Sequence, residues 1–140
     1  MDLIARQIAL QILAEIWEKK KNFDEALIKN QEYLKLSPEN KGFVKVLVFG
    51  LLRHFGEIDT FLDKFIKNRA HLPNAILDIL RLGTLQILFL DTKEYAAVDT
   101  SVELSKRVSK KLAPVVNGIF RNVIRQKDSF TCDAALNFPL

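Results

Sequence analysis

Apolar residues recur at the three- and four-residue spacing of an α-helix along almost the whole chain. Ile4, Ile8, Ile12, Leu13, Ile16 and Trp17 form one stripe. Phe43, Val44, Leu47, Val48, Leu51, Leu52 and Phe55 form another, and Leu112, Val115, Val116, Ile119, Phe120, Val123 and Ile124 a third. Val44 to Phe49 could pass for a strand if read alone, but it lies inside a longer helical period, so length decides for helix. A stripe buries only one face of its helix and needs neighbours to cover it. The pattern therefore predicts an all-α fold, a bundle of about seven helices. At 140 residues and 49% apolar, the chain can build one domain around a real core.

Boundary signals divide the pattern. Asn22 is a fair N-cap, with Asp24 and Glu25 in the first turn of a second helix that reaches Leu34. Ser37-Pro38 reads as a cap followed by a proline at the first helical position. Gly56 is expected to end that third helix, and a fourth carries Ile58, Phe61, Leu62, Phe65 and Ile66. Pro73 opens a fifth, whose wide apolar arc marks it as the central one. Gly83 inside it suggests close approach by a neighbouring helix. A sixth runs from about Tyr95 to Lys110, with Ala97, Val98 and Val102 inward. The seventh tolerates Pro114 in its first turn. The pattern stops after Lys127, so residues 1–127 are expected to form the domain and 128–140 a tail or the start of a linker.

Charge is unevenly spread. The net charge is +4, and from Lys106 to Lys127 there are seven basic residues and no acidic one. Lys106, Arg107, Lys110 and Lys111 are accounted for as helix-end charges favoured by the helix dipole. That account does not reach Arg121 and Arg125, which fall with Asn117 on the side opposite the apolar stripe at roughly 100° per residue. A helix that is both core element and cationic display is a candidate phosphate-binding surface. Arg6 stands at a helix start, where the dipole disfavours it; either a binding role or a salt bridge to Asp2 accounts for it. Arg53 and Arg81 border apolar runs and are expected as structural ties. Asn117 is expected to satisfy backbone groups at the core edge.

Little else carries chemistry. Gly42, Gly50, Gly56, Gly83 and Gly118 make neither a dinucleotide fingerprint nor a phosphate loop. His54 and His71 have no metal-ligand spacing with Cys132, and His54 is expected to cap or solvate a helix end. Asp59 and Asp63 are expected as a solvated i,i+4 face rather than a catalytic pair. Cys132 lacks a nearby His or Lys that would activate it. A single cysteine permits no internal disulfide and fits a cytoplasmic setting. Met1-Asp2-Leu3 does not open a signal peptide, and no uncharged apolar run reaches 18 residues, so no membrane association is expected.

Four segments in order carry a resemblance. They are Phe43 to His54 (FVKVLVFGLLRH), Ile79 to Leu90 (ILRLGTLQILFL), Ala96 to Ser105 (AAVDTSVELS) and Val115 to Arg125 (VVNGIFRNVIR). With Ala5 to Leu10 (ARQIAL), they resemble the NusB-like all-helical RNA-binding domain over about residues 4 to 127. That domain occurs alone as transcription antitermination factors. It also occurs at the N-terminus of the 16S ribosomal RNA cytosine-C5 methyltransferases called RsmB, Sun or Fmu. Val48 to Arg53 and Ile119 to Arg121 followed by Arg125 are similar to elements of the methyltransferase branch, and Asn137 to Leu140 looks like the approach to its catalytic domain.

The resemblance implies a domain that helps a methyltransferase hold ribosomal RNA, with Arg6, Arg121 and Arg125 and then Lys110 and Lys111 as RNA contacts. Affinity would come mainly from phosphates, with little base readout. The alternative it implies is a stand-alone antitermination factor that binds leader RNA with ribosomal protein S10. The N-terminal arginine cluster of those factors is reduced here to Arg6. The methyl-donor loop and Pro-Cys motif have no match, so no catalytic residue and no cofactor is expected in this chain. S-adenosylmethionine belongs to a full-length methyltransferase. On this reading the chain is an isolated domain or a truncated gene product. Thr92 to Tyr95 replace the family's Pro-x-x lead-in to the sixth helix.

Overall fold

The computed structural model describes residues 3–137, with side chains as far as Phe130. Among these residues there are seven α-helices and no strand. The chain divides into two compact units, Met1–Arg53 and His54–Leu140.

In the first unit, α1 (Ile4–Lys19) buries Ala5, Ile8, Ala9, Ile12 and Leu13. It packs with α2 (Phe23–Lys29) and α3 (Gln31–Leu34). The expected second helix is two helices because a second asparagine caps within it. Asn22 Oδ1 accepts the Glu25 N–H at 2.8 Å, and Asn30 Oδ1 accepts the Tyr33 N–H at 2.8 Å. Ser37 Oγ accepts the Asn40 N–H at 3.2 Å and opens α4 (Pro38–Asp63) at the expected proline.

Helix α4 corrects two expectations. The third and fourth predicted helices follow one another across a kink rather than a loop, and the break falls two residues before Gly56. The only departure from helical geometry is at His54 (φ −110°, ψ 18°), where the unit boundary also falls. His54 is not simply a solvated end group. Its ring stacks on Phe89 with centroids 3.9 Å apart, and Nδ1 lies 3.3 Å from Glu57 Oε1. Arg53, one residue earlier, is exposed and is not the buried tie expected of it.

In the second unit, α5 (Asn74–Phe89), α6 (Glu94–Val108) and α7 (Ala113–Asn137) pack on one another. Every residue of α5 from Ile76 to Gln86 is buried, so it is the central helix that its wide apolar arc predicted. A methyl group at Gly83 would lie 2.4 Å from Phe120 Cζ and 2.8 Å from Ser101 Oγ, so the expected close approach is made by both α6 and α7. The inward face of α6 differs from expectation. Ala97 is buried, but Val98 and Val102 are not; Thr100, Ser101, Leu104 and Ser105 are buried instead. These hydroxyls can enter the core because they donate to their own helix: Thr100 Oγ1 to the Ala96 carbonyl at 2.7 Å, Ser105 Oγ to that of Ser101 at 2.8 Å.

Helix α7 does not stop at Lys127 but continues to Asn137. Phe130 supplies the reason. It is buried, and its ring makes edge contacts with Phe61 and Phe89 at centroid distances of 5.0 and 5.5 Å. An apolar anchor ten residues beyond Phe120 carries the helix past the point where the periodic pattern fades. The side chain of Cys132, and Phe138 to Leu140 of the predicted linker approach, lie outside the described residues.

Asp59 and Asp63 are likewise not a plain solvated face. Arg81 donates to Asp59 through Nε (2.7 Å) and Nη2 (3.1 Å), and to Asp78 through Nη1 (2.9 Å). Arg69 bridges Asp59 at 3.1 Å and Asp63 at 2.7 Å. Arg81 is thus the structural tie the sequence suggested, and its guanidinium also covers the Phe55 ring at 4.7 Å. Burial pushes the Asp59 carboxyl up, but the hydrogen bonds and charges of Arg81 and Arg69 outweigh it and hold it below the usual carboxylate range. A depressed folded-state value contributes stability that is complete above the unfolded aspartate's pKa and is lost as pH falls through the folded one. Stability should therefore decline below about pH 4. Asp59→Asn should flatten that decline in urea titrations run across the acid range, and an unchanged acid slope would refute the assignment.

Candidate nucleic-acid interface

Helix α7 presents the predicted division of faces, with one exception. Val116, Ile119, Phe120 and Val123 are buried, whereas Val115 is exposed. The opposite stripe carries Asn117, Arg121 and Arg125 at successive i,i+4 steps, with both arginines exposed. Among the described residues neither arginine pairs with a carboxylate. Arg125 Nη1 reaches only Asn122 Oδ1, at 3.5 Å. Their charge is directed to solvent.

The turn from α6 to α7 adds to this display. A Leu112 N–H to Ser109 carbonyl hydrogen bond of 3.2 Å closes it, leaving Lys110 and Lys111 exposed at its tip. Lys110, Lys111, Arg121 and Arg125 thus all belong to the second unit, on the turn and the helix that follows it. Two other basic residues of the run are engaged. Lys106 pairs with Glu103 at 3.0 Å, and Lys127 pairs with Glu94, tying the start of α6 to α7. That contact raises the Lys127 ammonium above its usual range.

Arg6 lies in the first unit, half-buried, with its guanidinium 5.1 Å from the centre of the Phe43 ring. Part of its surface is committed to that ring, so the balance of its roles shifts toward structure. The salt bridge to Asp2 considered for it lies outside the described residues.

Asn117 departs from expectation. It is half-buried but makes no hydrogen bond to another described residue, so it does not satisfy backbone at a core edge. It lines an open groove of about 950 Å³ between α6 and α7. Val98 and Val102 line the same groove, which is why their apolar character misled the assignment of the α6 core face. Sequence periodicity had no signal for this feature, because a groove between two helices depends on how they are rotated against each other.

No group of His, Cys, Asp and Glu among the described residues could hold a metal ion, and no helix there is long and apolar enough to cross a membrane.

A model of the NusB family matches residues 3–125. The chain belongs to the NusB family. Its relatives include two kinds of protein. It is 31% identical over 124 residues to the probable ribosomal RNA small subunit methyltransferase B of Bacillus subtilis (strain 168), which covers 86% of this chain and 28% of that protein. It is also 31% identical over 129 residues to the transcription antitermination protein NusB of Clostridium novyi (strain NT), covering 86% of this chain and 96% of that one. The chain thus spans just over a quarter of the length of its methyltransferase relatives. Among solved structures it superposes on a chain from a crystal structure of antitermination factors NusB and NusE in complex with double-stranded RNA. The TM-score is 0.76 and the identity 25%, covering 88% of this chain and 95% of that one.

Proposed function

We propose that this NusB-family domain binds structured ribosomal RNA through the cationic face of α7 and the turn before it, in the service of a ribosomal RNA cytosine-C5 methyltransferase. The observation that carries the reading is the exposed Arg121 and Arg125 stripe, unpaired with any carboxylate among the described residues. Cations held on a rigid helix without internal partners are available to phosphates, and each phosphate neutralised releases counterions. Lys110 and Lys111 extend the contact, and Arg6 is a further candidate on the first unit. The methyltransferase assignment rests on the VVNGIFRNVIR ending of the basic stretch and on the relatives of that class. Methyl transfer itself, with S-adenosylmethionine, would belong to a separate catalytic domain.

A second reading has its own support. The antitermination relative and the superposed structure are matched over nearly their full length, and the latter holds NusE and RNA. Under that reading the partner is ribosomal protein S10 with leader RNA. Stable co-purification with S10 would favour it; RNA binding indifferent to S10 would favour the first.

The shared claim is tested by mobility shift at low salt. Arg121→Glu combined with Arg125→Glu should abolish RNA retention while the circular dichroism spectrum is unchanged. The corresponding double alanine variant should flatten the dependence of log K on log salt by about 1.5 in total. Wild-type affinity in the folded double glutamate variant would remove both residues from the site.

A further inference from the structure

The geometry points to a second element of the same surface: the groove between α6 and α7 receives unpaired nucleobases, so this face reads bases as well as phosphates. The inference rests on the RNA-binding reading above and adds a base-binding site to it.

Tyr95, in the first turn of α6, is 65% exposed and stands at one end of the groove. An exposed tyrosine ring is a stacking platform, and stacking tolerates any base. Val98 and Val102 continue from it as an apolar wall at i+3 and i+7. Lys106 and Lys110 stand toward the other end, about 15 Å or more along the helix at 1.5 Å per residue. That length exceeds one nucleotide. Lys110 at one end, with Lys106 beside it paired to Glu103, and an aromatic ring at the other suit a single strand laid along the trough, with a phosphate at Lys110 and a base on the ring. Arg121 follows Asn117 by one turn on the same stripe of α7 and extends the positive rim.

Two polar side chains between these ends supply readout. Asp99 and Asn117 both line the trough, and neither is hydrogen-bonded to another described residue. A carboxylate accepts only, so Asp99 favours a base that presents an exocyclic amine and opposes the carbonyl that uracil presents there. The Asn117 amide can donate and accept on a base edge. An acidic carboxylate in a purely phosphate-binding cleft would be unfavourable; facing an amine it is not. Ala113 and Pro114 complete an apolar floor with Val98 and Val102, but the lysines, Asp99 and Asn117 around it favour an anionic, hydrogen-bonding occupant over an apolar protein segment.

The test compares short single-stranded oligonucleotides of adenine, cytosine or uracil with a duplex of equal length, by fluorescence anisotropy at low salt. The wild-type chain should bind the adenine and cytosine strands more tightly than the uracil strand. Tyr95→Ala should weaken all single strands about tenfold or more and leave the duplex and the salt dependence unchanged. Asp99→Asn should narrow the difference between cytosine and uracil. Tyr95→Ala that is silent, or equally damaging to duplex and single strand, overturns the groove while leaving the phosphate-binding proposal standing. A wild-type chain that binds no RNA at low salt overturns both.

Discussion

Arg81→Met lowers stability by about 3–5 kcal/mol, because it removes the guanidinium that donates to both the Asp78 and Asp59 carboxylates. The Arg81 side chain is 11% exposed and that of Asp78 only 5%. Asp59 keeps Arg69 as a partner, so the loss concentrates on Asp78. Stability for a domain of this size is about 5–15 kcal/mol in all, so the variant approaches the unfolding limit. In thermal denaturation the midpoint should fall by about 10–15 °C. The reason is a buried carboxylate deprived of its guanidinium, not the intrinsic worth of the pair, and this gives a stricter expectation. Adding Asp78→Asn to Arg81→Met should recover part of the loss, since a neutral amide is cheaper to bury than a carboxylate that has lost its guanidinium. A single variant within 1 kcal/mol of wild type, or a double variant no better than the single, would contradict the account.

Gly83→Ala destabilises in spite of alanine's better helix propensity. The propensity gain is about 1 kcal/mol at most. Against it stands a methyl group placed 2.4 Å from Phe120 Cζ and 2.8 Å from Ser101 Oγ. Phe120 is fully buried and Ser101 nearly so, so neither can swing aside. Overpacking of this kind costs about 1–3 kcal/mol and sometimes more. The contact identifies its own remedy. Phe120→Leu alone should destabilise by leaving a void, but Gly83→Ala with Phe120→Leu should cost less than the sum of the two. A coupling of about 0.5–3 kcal/mol in urea titrations is expected; strict additivity would place the strain elsewhere.

The two positions show different degrees of legibility. Gly83 was readable because a glycine in the middle of a strongly apolar helix has a standing cost that something must explain. Which atoms explain it, one from α6 and one from α7, was not readable. Arg81 is readable as a structural tie, but its partner Asp59 lies 22 residues away and reads as part of a solvated face, because i,i+4 spacing to Asp63 says nothing about a third charge arriving from another helix. The basic stripe of α7 was legible in full, since the 3.6-residue period alone fixes which residues share a face. The groove beside it was not. Val98 and Val102 satisfied the helical period of a core face, yet Thr100, Ser101 and Ser105 took that place, because hydroxyls bonded to their own helix pack at little cost and allow close approach.

By itself, then, the sequence determined the all-helical pattern, the caps at Asn22 and Ser37, the buried rank of α5 and the cationic side of α7. These depend on neighbours within a few residues, where helix geometry leaves one arrangement. Only the tertiary structure decided that the break in α4 falls at His54, that Phe130 extends α7 into an aromatic cluster, that Asp59 is shared by two arginines, and that α6 and α7 enclose a trough lined by Tyr95, Asp99 and Asn117. Those features are set by the rotation and approach of elements distant in sequence, and local periodicity carries no record of either.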